Sequence, residues 1–322
     1  MFTSLIFSNF EENNCTFLQI MITCEKAIEL IKIYTYVCDR FEHELKYLCE
    51  RHSNNNVPIF SDEEVLTVYL FSGAIEKRTT IKDKHQFAKD YLLDWFPRLP
   101  SYQTFNARLN RLGEALRALS SEIINSFKPE GVDMCNSIVD SMPIIICSGR
   151  NRQGKVASEI ADKGFCSTKN LYYYGVKLHL LAHRVKGKIP FPEMLSISAA
   201  SENDSTVFKR DFVDYLTDKT VFADKIYQDR SFYQEKWQKQ RLELLTPCKA
   251  VKGEPTVLKQ RFQAFRDLFS ASVSSVRQPI ESFFNWLNEK TSIQRAHYVR
   301  STKGLIAHLM GNIAIAFVKL IF

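Results

Sequence analysis

Glycine and proline are scarce in this 322-residue chain, at 11 and 10 residues, which excludes collagen-like repeats and argues against a disordered chain. Cysteine pairs at metal or redox spacing are missing too. The eight cysteines, at positions 15, 24, 38, 49, 135, 147, 166 and 248, form no Cys-x-x-Cys and no Cys/His set that suits zinc. They read as reduced, mostly buried residues of a cytosolic protein. No Lys or Arg precedes Glu11 and Glu12, so the start lacks the basic region of a signal peptide. Residues 1–21 read as a leader, with Met21 an alternative start. A long uninterrupted apolar run is also absent, because His308, Asn312 and Lys319 break the stretch 305–322. That stretch is expected to be a buried terminal helix, with no membrane partner.

What the chain does have is apolar residues (45%) and charge, with a formal net of +7. The length allows two or three domains and a core that needs no disulfide. The charge is uneven: residues 1–130 hold 15 Lys+Arg against 18 Asp+Glu, and residues 131–322 hold 28 against 18. A basic C-terminal part favours a polyanionic partner, nucleic acid being the commonest, over a merely solvated surface.

Apolar residues recur at helical spacing over 22–50 (Ile28, Ile31, Tyr34, Val37, Phe41, Leu45, Leu48), and the polar run 52–56 ends the pattern. Ser61, three residues before Glu64, reads as a capping box that opens a helix over 65–71. Ser101 or Thr104 caps a further helix that carries Asn106, Arg108, Asn110 and Arg111. Helix, turn, then a helix with Arg and Asn on one side fits a helix-turn-helix DNA reader, although on these residues alone an ordinary helical hairpin with a solvated face is the favoured reading.

After Lys128-Pro129-Glu130-Gly131 the texture becomes β-rich, with strands expected at 137–140, 143–147, 172–182 and 194–199. A helix over 204–216, a strand over 220–223, a helix over 231–240 and a strand over 242–245 follow. A helix over 278–290 comes after a long polar segment, and Ser301 caps the last helix. This order predicts an α+β (mixed α/β) domain around one sheet, preceded by an α-helical region, with a boundary near residue 130.

Two aspartates occupy rigid strand positions. Asp140 is embedded in Ile138-Val139-Asp140-Ser141, and Asp224 follows Val221-Phe222-Ala223. A carboxylate buried there without a partner costs several kcal/mol. Either one alone could cap a turn; two acids on neighbouring strands can share divalent cations. Glu281 falls in the first turn of its helix, where the helix dipole alone would favour it, with Arg277 four residues earlier. His179 reads as a satisfied core residue. Trp286 is expected to pack its helix against the sheet, and of Tyr172, Tyr173 and Tyr174 at least one fills the core while another could stack on a base.

Four blocks occur in a familiar order: Val139-Asp140-Ser141-Met142-Pro143, then Tyr173-Tyr174-Gly175-Val176-Lys177-Leu178-His179, then Ala223-Asp224-Lys225-Ile226-Tyr227, then Arg277-x3-Glu281 with Ile293-x-Arg295-Ala296. Together they resemble a DDE transposase of a bacterial insertion sequence, nearest to the insertion sequence 982 family, over roughly residues 22–322. The resemblance implies a ribonuclease-H-like catalytic domain in which Asp140, Asp224 and Glu281 bind two Mg²⁺ (or Mn²⁺) ions and catalyse strand cleavage and strand transfer. Hard oxygen ligands suit these ions, and two of them serve the attacking and leaving oxygens of phosphodiester chemistry. The resemblance also implies double-stranded DNA as partner (terminal inverted repeats and target), a homodimer in the DNA complex and a cytoplasmic, nucleoid-associated location. Candidate DNA contacts are Arg108, Arg111, Lys177, Lys225, Arg277, Arg295 and Arg300. Of the wider Tyr-Arg-Glu-Lys signature, Arg277 and Glu281 match; Ser274 and Asn288 stand at the other two positions, with Lys290 nearby. A metal-dependent nuclease without strand transfer and an inactive, transposase-derived DNA-binding protein are the alternatives.

Overall fold

A computed structural model describes residues 22–49, 58–149, 154–167, 169–249, 253 and 255–321. The leader over 1–21 and the polar break over 52–56 lie outside the described residues.

The N-terminal part is helical throughout: α1 (Cys24–His43), α2 (Asp62–Ala74), α3 (Ile81–Tyr91), α4 (Tyr102–Arg111) and α5 (Gly113–Ser126). Local chemistry sets the starts. Thr23 accepts from the Lys26 amide at the head of α1, and Thr80 caps α3. Ser61 and Glu64 form the expected capping box, and Ser101, rather than Thr104, caps α4. α2 is apolar on all sides, with residues 65–74 buried, because α1, α3 and the C-terminal helix α10 (Thr302–Ile321) surround it. Among the described residues α10 alone is long and apolar enough to cross a membrane, yet 72% of its apolar window is buried inside the protein. It fills the core of the helical region, and the helices and the sheet share one continuous apolar cluster.

Six strands follow: β1 (Val132–Ser148), β2 (Asp162–Cys166), β3 (Leu171–Val185), β4 (Phe191–Ala199), β5 (Thr220–Phe222) and β6 (Glu243–Leu245). They form one mixed sheet in the order β2-β3-β1-β5-β6, with β4 also paired to β3. β1, β3 and β4 are antiparallel neighbours, whereas β5 and β6 run parallel to β1 and are reached through α6 (Asp204–Asp211) and α7 (Arg230–Gln240). The runs 137–140 and 143–147 are therefore one strand. Pro143 does not break it: the Ile145 amide points away from β3 to the Gln294 carbonyl at 2.8 Å, so Pro143, two residues earlier, faces the same way and removes no bond to β3.

Strand alternation divides the core. Ile138, Met142 and Ile144 face the helical side, while Val139 packs with Leu181, Phe208, Phe212, Val221 and Leu242 on the side of α6. Several expectations are corrected. The segment before Glu281 is a 22-residue helix, α8 (Thr256–Arg277), and runs directly into α9 (Pro279–Thr291). α6 stops at Asp211, a 3-10 turn covering Val213–Tyr215. Trp286 packs against Phe283 and Phe317, with both ring centroids 5.6 Å away, which joins α9 to α10 within the apolar cluster they share with the sheet. None of the seven described cysteines is fully buried, and Cys24 and Cys135 are exposed; all seven are free thiols.

Candidate active site

β1 and β5 bring the two aspartates together by register. Ile138 pairs with Phe222, and two residues further along each strand stand Asp140 and Asp224. Alternation puts both on the face that carries Ile138, the face that α8 and α9 cover. The α8–α9 junction then lowers Arg277 onto this face. Its guanidinium donates to Asp140 Oδ2 at 2.7 Å and to Glu281 Oε1 at 3.0 Å. Pro279 predicts a helix that starts near Gln278 and leaves Arg277 in its entry; instead α8 stays helical up to Arg277, so Arg277 and Glu281 meet across the junction.

Asp140 is the least exposed of the three acids. Burial pushes its pKa up from 3.8 to about 6; Arg277 and the Ser141 amide pull it down, and the charges of Asp204 and Asp224 push it up again. The Ser141 amide donates to Asp140 Oδ1 at 2.8 Å. Asp224 and Glu281 are exposed at the mouth.

Asp204, read from sequence only as a helix start, lies on the α6 side of the sheet, near enough for its charge to raise the Asp140 pKa. Lys177 Nζ donates to Asp204 Oδ1 at 2.8 Å and to the Glu202 carbonyl at 2.8 Å, and Ser141 Oγ donates to Asp204 Oδ2 at 3.1 Å. The available signal was weak: Asp204 opens α6 five residues after the strand ending at Ala199, whereas Asp224 stands two residues past the end of β5. Tyr227 packs on Phe208 in the core on the α6 side, close to the acids. It is buried, Asp204, Asp140 and Asp224 all raise its pKa after burial itself, and its hydroxyl has no hydrogen-bond partner.

All donors here are hard oxygens, which suits Mg²⁺ or Mn²⁺. A buried acid with a raised pKa, an unpartnered buried hydroxyl beside it and a guanidinium lying between two carboxylates are the marks of a place that holds positive charge. Among the described residues no three metal-capable side chains converge tightly enough to hold one ion; Glu281 reaches Arg277 instead of the aspartates.

The cations singled out from sequence divide into two groups. Arg108 is corrected: it is buried and spends its guanidinium on Asp62 and the Phe60 carbonyl, joining α4 to the start of α2, so no phosphate can reach it. Lys177 is held by Asp204, and Arg300 donates to the His297 and Val299 carbonyls at 2.7 and 2.8 Å. Arg111 is half-buried, and Lys225 and Arg295 are exposed, Lys225 directly beside Asp224. Asn288 accepts from the Gln294 amide at 3.2 Å and so shapes the turn after α9. His179 is buried and pairs with Ser198 at 2.8 Å, Tyr173 and Tyr174 are buried, and Tyr172 is exposed against Phe165.

No curated protein and no solved structure matches the chain. The family model described as the transposase DDE domain matches residues 130–298, a stretch that contains Asp140, Asp204, Asp224, Arg277 and Glu281. The chain belongs to the transposase DDE domain family.

Proposed function

We propose that the protein is a DNA transposase of the insertion sequence 982 type, which cleaves the ends of a mobile element and joins the freed 3′-hydroxyl to target DNA. The observation that carries this reading is the meeting of Asp140, Asp224 and the Arg277–Glu281 pair on one face of the sheet in a chain of the DDE family. The strand order, with three antiparallel strands followed by two parallel ones reached through helices, supports a ribonuclease-H-like domain.

Asp140, Asp224 and Glu281 would hold two divalent ions, which supply Lewis acidity at the scissile phosphate and activation of the attacking oxygen. The chain does the rest. β1 and β5 fix the two aspartates on rigid neighbouring strands. Lys177 and Ser141 clamp Asp204, so its charge adds to the acidic centre while its carboxylate stays at the wall. Arg277, displaced from Asp140, is free to contact a phosphate oxygen in the bidentate manner that guanidinium favours. Lys225, Arg295 and Arg300 line the approach as further phosphate contacts. The helical region is the recogniser of the inverted repeats, through the exposed side of α4 next to Arg111 rather than through Arg108. Two copies act together on the two element ends, in the cytoplasm.

A gel assay of strand cleavage and joining on DNA bearing the element ends tests the reading. The wild type with Mg²⁺ yields joined products, and Asp224→Asn yields neither cuts nor joints while still binding DNA. Cleavage without joining would identify a nuclease, and metal-independent cleavage would reject the metal site.

A further inference from the structure

Beyond the acids, on the same face of the sheet, lies a cavity of about 530 Å³. One wall is the turn between β3 and β4, with Arg184, Lys186 and Lys188; the other is the α8–α9 junction, with Gln278 and Ser282; Ile138 forms part of the floor. Gly187, at φ +71°, makes the turn tight and sets Lys186 and Lys188 on either side of it. None of the three cations forms an ion pair with a described carboxylate. Arg184 lies near Asp133, whose pKa its charge helps to lower, without forming an ion pair with it. This reverses the pattern at the acids, where Arg277 and Lys177 are committed to protein carboxylates. Three unspent positive charges around a polar hollow call for an anion.

Geometry connects the hollow to the active site. Ile138 and Asp140 share one face of β1, and Gln278 lines the cavity while its neighbour Arg277 reaches Asp140. Arg184 stands four residues along β3 from Leu180, the register partner of Asp140, which at about 3.3 Å per residue is roughly 13 Å along the strand. A DNA strand advances about 3.4 Å per nucleotide along the duplex axis, so roughly four nucleotides cover that span.

We propose that this cavity is a second DNA subsite, in which Arg184, Lys186 and Lys188 hold backbone phosphates about four nucleotides from the one at the acids. The proposal rests on the transposase reading and adds a place and a set of residues to it. The phosphates belong to the strand that also occupies the acids.

The test compares wild type with the triple variant Arg184→Gln/Lys186→Gln/Lys188→Gln and with the charge-keeping Arg184→Lys/Lys186→Arg/Lys188→Arg. Binding to a fluorescein-labelled duplex is followed by anisotropy across a salt series. At about 0.9 per phosphate contact, the slope of log K against log[salt] falls by about 2.7 in the Gln variant, and affinity at 0.15 M salt drops on the order of 100-fold. The charge-keeping variant restores both. Neutral methylphosphonates placed singly along the strand weaken wild-type binding about four nucleotides from the 3′ end, and have no effect there in the Gln variant. Mn²⁺ binding and far-UV circular dichroism stay at wild-type values. Wild-type DNA binding with an unchanged slope in the Gln variant overturns the subsite alone; no wild-type DNA binding overturns the transposase reading with it. Methylphosphonate sensitivity confined to the opposite strand overturns the assignment to the strand at the acids.

Discussion

Replacing Asp140 with Asn stabilises the metal-free protein, and the site sets both the amount and its pH dependence. Burial raises the Asp140 pKa from 3.8 to about 6 even with Arg277 2.7 Å away. A carboxyl whose folded pKa lies above its unfolded one stabilises the fold when protonated, and that contribution is lost as pH rises through the folded pKa. Between pH 3.8 and about 6 the unfolded chain gives up its proton while the folded chain keeps it, so stability falls with pH across this window. At about 1.36 kcal/mol per pKa unit the penalty is roughly 1.6 kcal/mol at pH 5 and approaches about 3 kcal/mol at pH 7.5. Asn keeps an acceptor for Arg277 and removes the buried charge. Urea melts in EDTA should therefore show Asp140→Asn more stable than wild type, with the margin widening by about 1.4 kcal/mol from pH 5 to pH 7.5. Added Mg²⁺ should then stabilise the wild type and not the variant. A margin independent of pH, or a variant weaker at both pH values, would refute the burial argument.

Three further outcomes follow from other contacts. Arg277→Gln removes the cation shared by Asp140 and Glu281. Unit charges about 4 Å apart interact by about 4 kcal/mol at an effective dielectric of 20; solvent around the exposed Glu281 reduces this, and calorimetry should show Mn²⁺ binding tightened by about tenfold while strand joining slows. Arg108→Met breaks a buried pair with Asp62 and should cost about 3 kcal/mol in urea melts, with an unchanged salt slope for DNA binding. Lys84, buried against the Tyr69 ring and donating to the Thr79 carbonyl at 3.0 Å, has its pKa lowered by burial to about 7. Stability then rises with pH from about 7 towards 10.5 as the folded chain sheds the proton first, so Lys84→Met should raise the Tm more at pH 6 than at pH 9.5.

The parts of this account that were legible in the sequence are those with short-range causes. Ser61 with Glu64, and the apolar residues flanking Asp140 and Asp224, carry their meaning within a few residues. Alternation then places both acids on one face once β1 and β5 are known to pair. What stayed hidden depends on distant partners. Arg108 looks like a DNA contact until Asp62, 46 residues earlier, claims it. Lys177 looks free until α6 brings in Asp204. α8 escapes notice although Leu258, Phe262, Phe265, Phe269 and Val273 recur at helical spacing; the charged and polar residues between them make the stretch read as a polar segment. β2 is a short edge strand whose Asp162-Lys163-Gly164 start has little strand propensity. The cations of the β3–β4 turn passed as ordinary turn residues, since nothing local separates a solvated lysine from one facing a cavity.

The central claim is that Asp140, Asp224 and Glu281 together form a divalent-metal centre. Electron paramagnetic resonance of Mn²⁺ titrated into the wild type and into Asp140→Asn, Asp224→Asn and Glu281→Gln tests it most directly. The account predicts saturable binding in the wild type that each single substitution weakens at least about tenfold. Wild-type Mn²⁺ affinity in all three variants would contradict it.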